Sequence, residues 1–144
     1  MKRYFLAVAL SCCLISTGCR DPYGACVKAG ADIATGIAQG YSSVDQIRMQ
    51  GLITPAEELN VAGYLKFAND GDKAFLSCVQ TAHTNGNRAG TYTACAQNFN
   101  AALNNPQELA LIHVSNTSAP PVINAIVNGL TAGVAAVISG LGGA

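Results

Sequence analysis

The sequence predicts an all-α protein, a small bundle of about four to five helices. Three observations carry that expectation. Apolar residues recur at intervals of three and four along most of the chain, the period that lines one face of an α-helix. Thr54-Pro55-Ala56-Glu57 and Asn105-Pro106-Gln107-Glu108 set a side-chain acceptor, a proline and an acid in the order that opens a helix. No segment alternates apolar and polar residues as a half-buried strand does. Composition narrows the function as well. Half of the 144 residues are hydrophobic and only 11% are charged, against about 25% in an ordinary soluble domain. A chain this apolar is not a disordered tail. It has no basic surface to displace counterions, so nucleic acid is excluded as a partner.

At the amino terminus, Lys2 and Arg3 precede an apolar run from Tyr4 to Ile15. Ser16, Thr17 and Gly18 then lead to Cys19. This is the pattern of a cleavable export signal, residues 1–18. Its apolar core is too short for a permanent span, which takes about 20 residues. Lys2 and Arg3 leave with the signal, so the mature chain holds a slight excess of acids.

The sequence Ile15-Ser16-Thr17-Gly18-Cys19 resembles the lipobox of bacterial lipoproteins. The resemblance covers residues 1–19 only. It implies a diacylglycerol on the Cys19 sulfur, cleavage just before that residue, and membrane anchoring through the lipid. Ser16 stands where the family usually has leucine. Arg20 stands where an aspartate retains some members in the inner membrane. For a Gram-negative host the resemblance therefore implies the outer membrane or its periplasmic face. Ser16 and Gly18 also satisfy the small-residue rule of ordinary secretion, the alternative processing.

Export puts the remaining cysteines in an oxidising compartment, where disulfides persist. Cys12 and Cys13 depart with the signal, leaving Cys19, Cys26, Cys78 and Cys95. If Cys19 is acylated, three thiols remain and one is left over. If it is not, four cysteines can form two bridges, and the chain is a secreted four-cysteine domain. Cys78–Cys95 is the preferred bridge. The two lie at similar depth on facing sides of an antiparallel hairpin, within the roughly 7 Å between Cα atoms that a bridge needs. Cys26 is expected to be an inert buried thiol.

A tether, residues 19–24, leads into a helical domain, 25–114. Cys26, Gly30, Ile33, Ile37, Tyr41, Val44 and Ile47 line its first helix, which stops near Gly51. Thr54 caps the second helix, with Glu57 reaching back to complete a capping box. Tyr64, Phe67, Gly71, Ala74, Cys78 and Ala82 are expected on one face, and the helix ends near Asn85-Gly86. After a loop, Thr91 is the candidate cap of a third helix with the stripe Tyr92, Cys95, Phe99 and Leu103. Asn105 opens a short fourth helix. A linker, 115–121, precedes an apolar carboxy-terminal helix, 122–144. Its stripe is Ile123, Ile126, Val127, Leu130, Val134, Val137, Ile138 and Leu141. Glu108 is the only charged residue after position 88. The last helix is long enough to span a bilayer. Asn124 and Asn128 within it, and the missing aromatic and basic flanks, favour packing against the bundle or against a partner. Gly129 and Gly133 form a GxxxG pair, by itself a weak motif.

No catalytic constellation emerges, and an enzyme is not expected. His83 and His113 are placed near helix ends, where an imidazolium can meet the dipole. Asp70 and Asp72 hint at a calcium loop, but Ala74 and Thr81 occupy ligand positions, so no metal or other cofactor is expected. The leading expectation is a lipid-anchored cell-envelope protein with a structural or interaction role. Its partners would be the membrane, through Cys19, and a second copy or another envelope protein, through 122–144. One alternative is a bundle binding an apolar ligand in a cleft lined by Tyr64, Phe67, Phe75, Phe99 and the apolar carboxy-terminal segment. Another is a membrane-bridging protein similar in layout to the single-protein spanins of bacteriophages.

Overall fold

The computed structural model describes residues 21–86 and 89–142. Five helices form, and no strand is present among the described residues. They are α1 (Pro22–Met49), α2 (Pro55–Thr84), α3 (Ala89–Leu103), α4 (Pro106–Leu111) and α5 (Pro120–Gly142). Cys19 lies outside the described residues.

The helix starts follow the proline logic further than the sequence reading did. α1 begins at Pro22, inside the predicted tether, and α5 begins at Pro120, inside the predicted linker. Proline is suited to both places, because its missing N–H has no partner at a first helical turn. α2 opens on the predicted capping box. The Glu57 N–H donates to Thr54 Oγ1 at 3.2 Å, and the Thr54 N–H donates to Glu57 Oε2 at 2.7 Å. The helix ends where predicted, with Gly86 at φ 66°, a left-handed conformation open to glycine without strain. α3 starts ahead of Thr91, which is therefore inside the helix and not its cap. At α4, Asn105 Oδ1 accepts the Gln107 N–H at 2.9 Å.

The four long helices form an up-down-up-down bundle, and α4 closes one end. Opposed residues give the registers. Gly30 and Gly40 of α1 face Leu76 and Leu65 of α2, so these helices run antiparallel. Gly71 abuts Phe99, and Cys78 is bonded to Cys95, which sets α3 antiparallel to α2. Gly36 and Gly40 meet Leu130 and Ile126, which sets α5 antiparallel to α1. Gly40 is where two neighbouring helices close in on α1 together. A Cβ there would stand 2.9 Å from Leu65 Cδ2 and 3.2 Å from Ile126 Cγ2, so α2 and α5 both seat on glycine backbone.

The core is a single cluster. Ile33, Ile37 and Val44 of α1 join Leu65, Phe75 and Val79 of α2, Phe99 and Leu103 of α3, and Leu130 and Val134 of α5. The Tyr64 hydroxyl donates to the Leu103 carbonyl at 3.2 Å, which satisfies it in the interior. Two predicted stripes need correction. Tyr41 lies on the rim, and Gly40 takes the inward position. On α2 the buried face is Val61, Tyr64, Leu65, Ala68, Asp72, Phe75, Val79 and Ala82. Ala74 and Cys78 are exposed and Phe67 is half-buried, so the predicted face is turned toward α3. α2 packs on both α1 and α3, so its buried face is wider than one stripe.

Candidate functional site

α5 is long and apolar enough to cross a membrane, with a mean hydropathy of 1.8 over an 18-residue stretch within Pro120–Leu141. In the fold it packs on α1 and α3. Its large side chains all turn inward: Ile123, Leu130, Val134 and Leu141 are buried, and Ile126, Val127, Val137 and Ile138 are half-buried. The outer face is left to Asn124, Ala125, Asn128, Ala132, Ala135 and Ser139. Thr131, half-buried, satisfies its hydroxyl on the Val127 and Asn128 carbonyls. The packing explains both halves of the sequence pattern, the apolar stripe and the asparagines beside it.

A broader feature appears once α3 and α5 are neighbours. Neither helix holds an Asp, Glu, Lys or Arg. Every such residue among those described lies on α1 or α2, apart from Asp21, the N-cap of α1, and Glu108 of α4. Among the described residues, the side of the bundle made by α3 and α5 is therefore charge-free. Surface ion pairs keep to the other side, such as Lys28–Asp32 at 2.8 Å and Lys66–Asp70 at 2.7 Å. At the α4 end, a hollow of about 560 Å³ opens between Leu109–Val114 and the first turns of α5. Leu109, Ile112, Val114, Ile123 and Val127 make its walls apolar, and His113 and Asn124 supply polar edges. Beside it, Leu111 stands 57% exposed.

The disulfide predicted between Cys78 and Cys95 is present, with Cα atoms 5.9 Å apart. It braces α2 to α3, and Cys26 is a buried thiol of α1. Thr54 and Glu57 play the predicted capping roles, but Glu57 has a further one. Its Oε1 accepts the Ser115 N–H at 2.6 Å and the Ser115 hydroxyl at 2.7 Å. Hydrogen bonds from the Thr54 and Ser115 backbones and side chains hold the carboxyl well down, at a pKa of about 2. The start of α2 is thus clamped to the segment that leads into α5.

His83, near the end of α2, stacks on Tyr23 with ring centroids 3.9 Å apart, and the Tyr23 hydroxyl donates to Gln80 at 2.5 Å. The contact ties the start of α1 to the end of α2. Asp70 and Asp72 part ways. Asp70 pairs with Lys66, whereas Asp72 turns into the core at 3% exposure, and its Oδ1 has no hydrogen-bond partner. Burial alone pushes its pKa up to about 6. No group of three or more potential metal ligands occurs among the described residues. Of the aromatic residues predicted to line a ligand cleft, Tyr64, Phe75 and Phe99 instead fill the core, and Phe67 is half-buried outside it. Phe75 stacks on Phe99 at 5.8 Å, and Tyr64 is fully packed. The hollow at α4 shares none of these aromatics, but Ile123 and Val127 of the apolar carboxy-terminal segment help line it.

Comparisons with protein-family models, with curated proteins and with solved structures each found no match.

Proposed function

We propose that this is a lipid-anchored cell-envelope protein, a braced helical module that holds an uncharged surface close to a membrane. The observation that carries the proposal is Cys19 at the end of a lipobox-like signal. It stands two residues before Asp21, the N-cap of α1. At no more than about 3.6 Å per residue, an anchor there keeps the start of α1 within roughly 10 Å of the bilayer. The Cys78–Cys95 bridge supports an oxidising compartment.

The test is Cys19→Ala. The variant is expected to lose lipid and appear in the soluble fraction, while the wild-type protein sediments with membranes. Retention of the variant on membranes, resistant to a high-salt wash, would sink the anchor. A bridging role is less well supported, because α5 runs antiparallel to α1 and returns residue 141 to the end where residue 22 lies.

A further inference from the structure

We infer that the charge-free side formed by α3 and α5 is where two copies of this chain meet, with Leu111 of each seated in the other's hollow. The inference rests on the lipid-anchor reading for the orientation of the copies. Three features of the patch point to the same occupant.

The first is charge. The centres of protein interfaces are depleted in charged residues, because each buried charge has to be desolvated. Here two adjacent helices have no charge, and the remainder of the bundle carries nearly all of it. The exposed groups are alanines, asparagines and glutamine, including Ala94, Gln97, Ala101, Ala125, Asn128, Ala132 and Ala135. Such a surface offers little to a bilayer. Interfacial helices carry large apolar and basic residues, and this face has neither. Short side chains and amides suit close helix packing with cross-pairing.

The second is size. α5 is about 35 Å long at ~1.5 Å per residue and α3 about 22 Å, each presenting a strip some 10 Å wide. Together they offer roughly 600 Å², approaching the ~800 Å² per partner of a stable interface.

The third is self-complementarity. A two-fold interface uses one patch on both copies, so a knob and its hole must lie on the same patch. Leu111 is an exposed apolar knob, and the hollow begins at the flanking residues Leu109, Ile112 and Val114. Lipid anchors near residue 21 would hold both copies the same way up. The α4 ends then meet at one height, as a two-fold axis along the bundle requires.

The test is native mass spectrometry of the full protein released from detergent micelles. The wild type is expected as a dimer at low micromolar concentration. Leu111→Asp and Asn128→Glu are each expected to raise the dimer Kd about tenfold or more, as a hot-spot or a buried charge does. Lys73→Glu, on the charged helix α2 with its side chain 68% exposed in the wild type, is expected to leave the dimer intact. Circular dichroism verifies that each variant keeps its helices, and Asn128→Glu serves if Leu111→Asp does not fold. A monomeric wild type overturns the inference, as does a dimer indifferent to both substitutions. A monomer that holds a small apolar molecule overturns it too, because the hollow is then a ligand site. The same spectrum reports acyl mass on Cys19. A dimer without acyl chains removes the anchor and leaves the interface. An acylated monomer does the reverse.

Discussion

Asp72→Asn is expected to make the protein more stable at neutral pH, and the size of the gain follows from the site. The Asp72 carboxyl is 3% exposed, and Oδ1 has no partner. No ionisable group on the packed elements relieves it. α5 has none and α3 has no charged side chain. On α1, Lys28 is paired with Asp32 and Arg48 with Glu58, at the surface. Burial raises the carboxyl from 3.8 to about 6. A carboxylate whose folded pKa is raised works against folding once it ionises. The penalty is absent below the unfolded pKa and complete above the folded one. A rise of about two units corresponds to about 3 kcal/mol at pH 7.5. The asparagine amide removes the charge but still lacks partners, a cost of roughly 1 kcal/mol. The net gain is then about 2 kcal/mol, or some 5–10 °C in Tm for a domain of this size. The assay is urea and thermal unfolding of wild type and variant at pH 5, 6 and 7.5. Wild-type stability is expected to fall across that range, and the variant to stay level and lead at pH 7.5. Wild-type stability that rises with pH, or a variant no more stable at pH 7.5, would refute the reasoning.

Three further outcomes are expected. Reducing Cys78–Cys95 leaves the helices in place but lowers stability by about 3 kcal/mol for a loop of this size, measured as a shift in urea midpoint. Gly40→Val pushes into Leu65 and Ile126, and overpacking of this kind costs about 1–3 kcal/mol, visible as a lower Tm. The Glu57 clamp acts in the opposite pH direction to Asp72. Its carboxyl is lowered from 4.5 to about 2, so its contribution is full above pH 4.5 and lost as the pH falls toward 2. Glu57→Gln should flatten the acid limb of a stability–pH curve, and an unchanged limb would remove Glu57 from the account.

The helices were legible because their signals are local. The Thr54–Glu57 box spans four residues, and the expected stripes of α3 and α5 all turn inward, with the buried Ala96 of α3 the addition. The disulfide was legible through register, since Cys78 and Cys95 stand at matched distances from one loop. What escaped the sequence was relational. Ser115 gave no sign of its contact with Glu57, 58 residues away. Asp72 stands in step with Val61, Leu65, Ala68 and Phe75, but the face expected from the aromatics runs through Gly71 instead. The period placed it inside, and the period prevailed over side-chain polarity. The uncharged tail was plain from composition. That an equally uncharged α3 lies beside it, making a continuous face, emerges only from the packing.

The central claim is a disulfide-braced bundle held to a membrane by lipid on Cys19. The intact mass of membrane-extracted protein, with thiols alkylated before and after reduction, tests it most directly. The account expects a chain that begins at Cys19 and carries acyl chains. One alkylation of the denatured protein is expected before reduction, on Cys26, and two more after it, on Cys78 and Cys95. An unacylated chain with no reactive thiol until reduction would contradict it. That chain would be a secreted four-cysteine domain with two bridges.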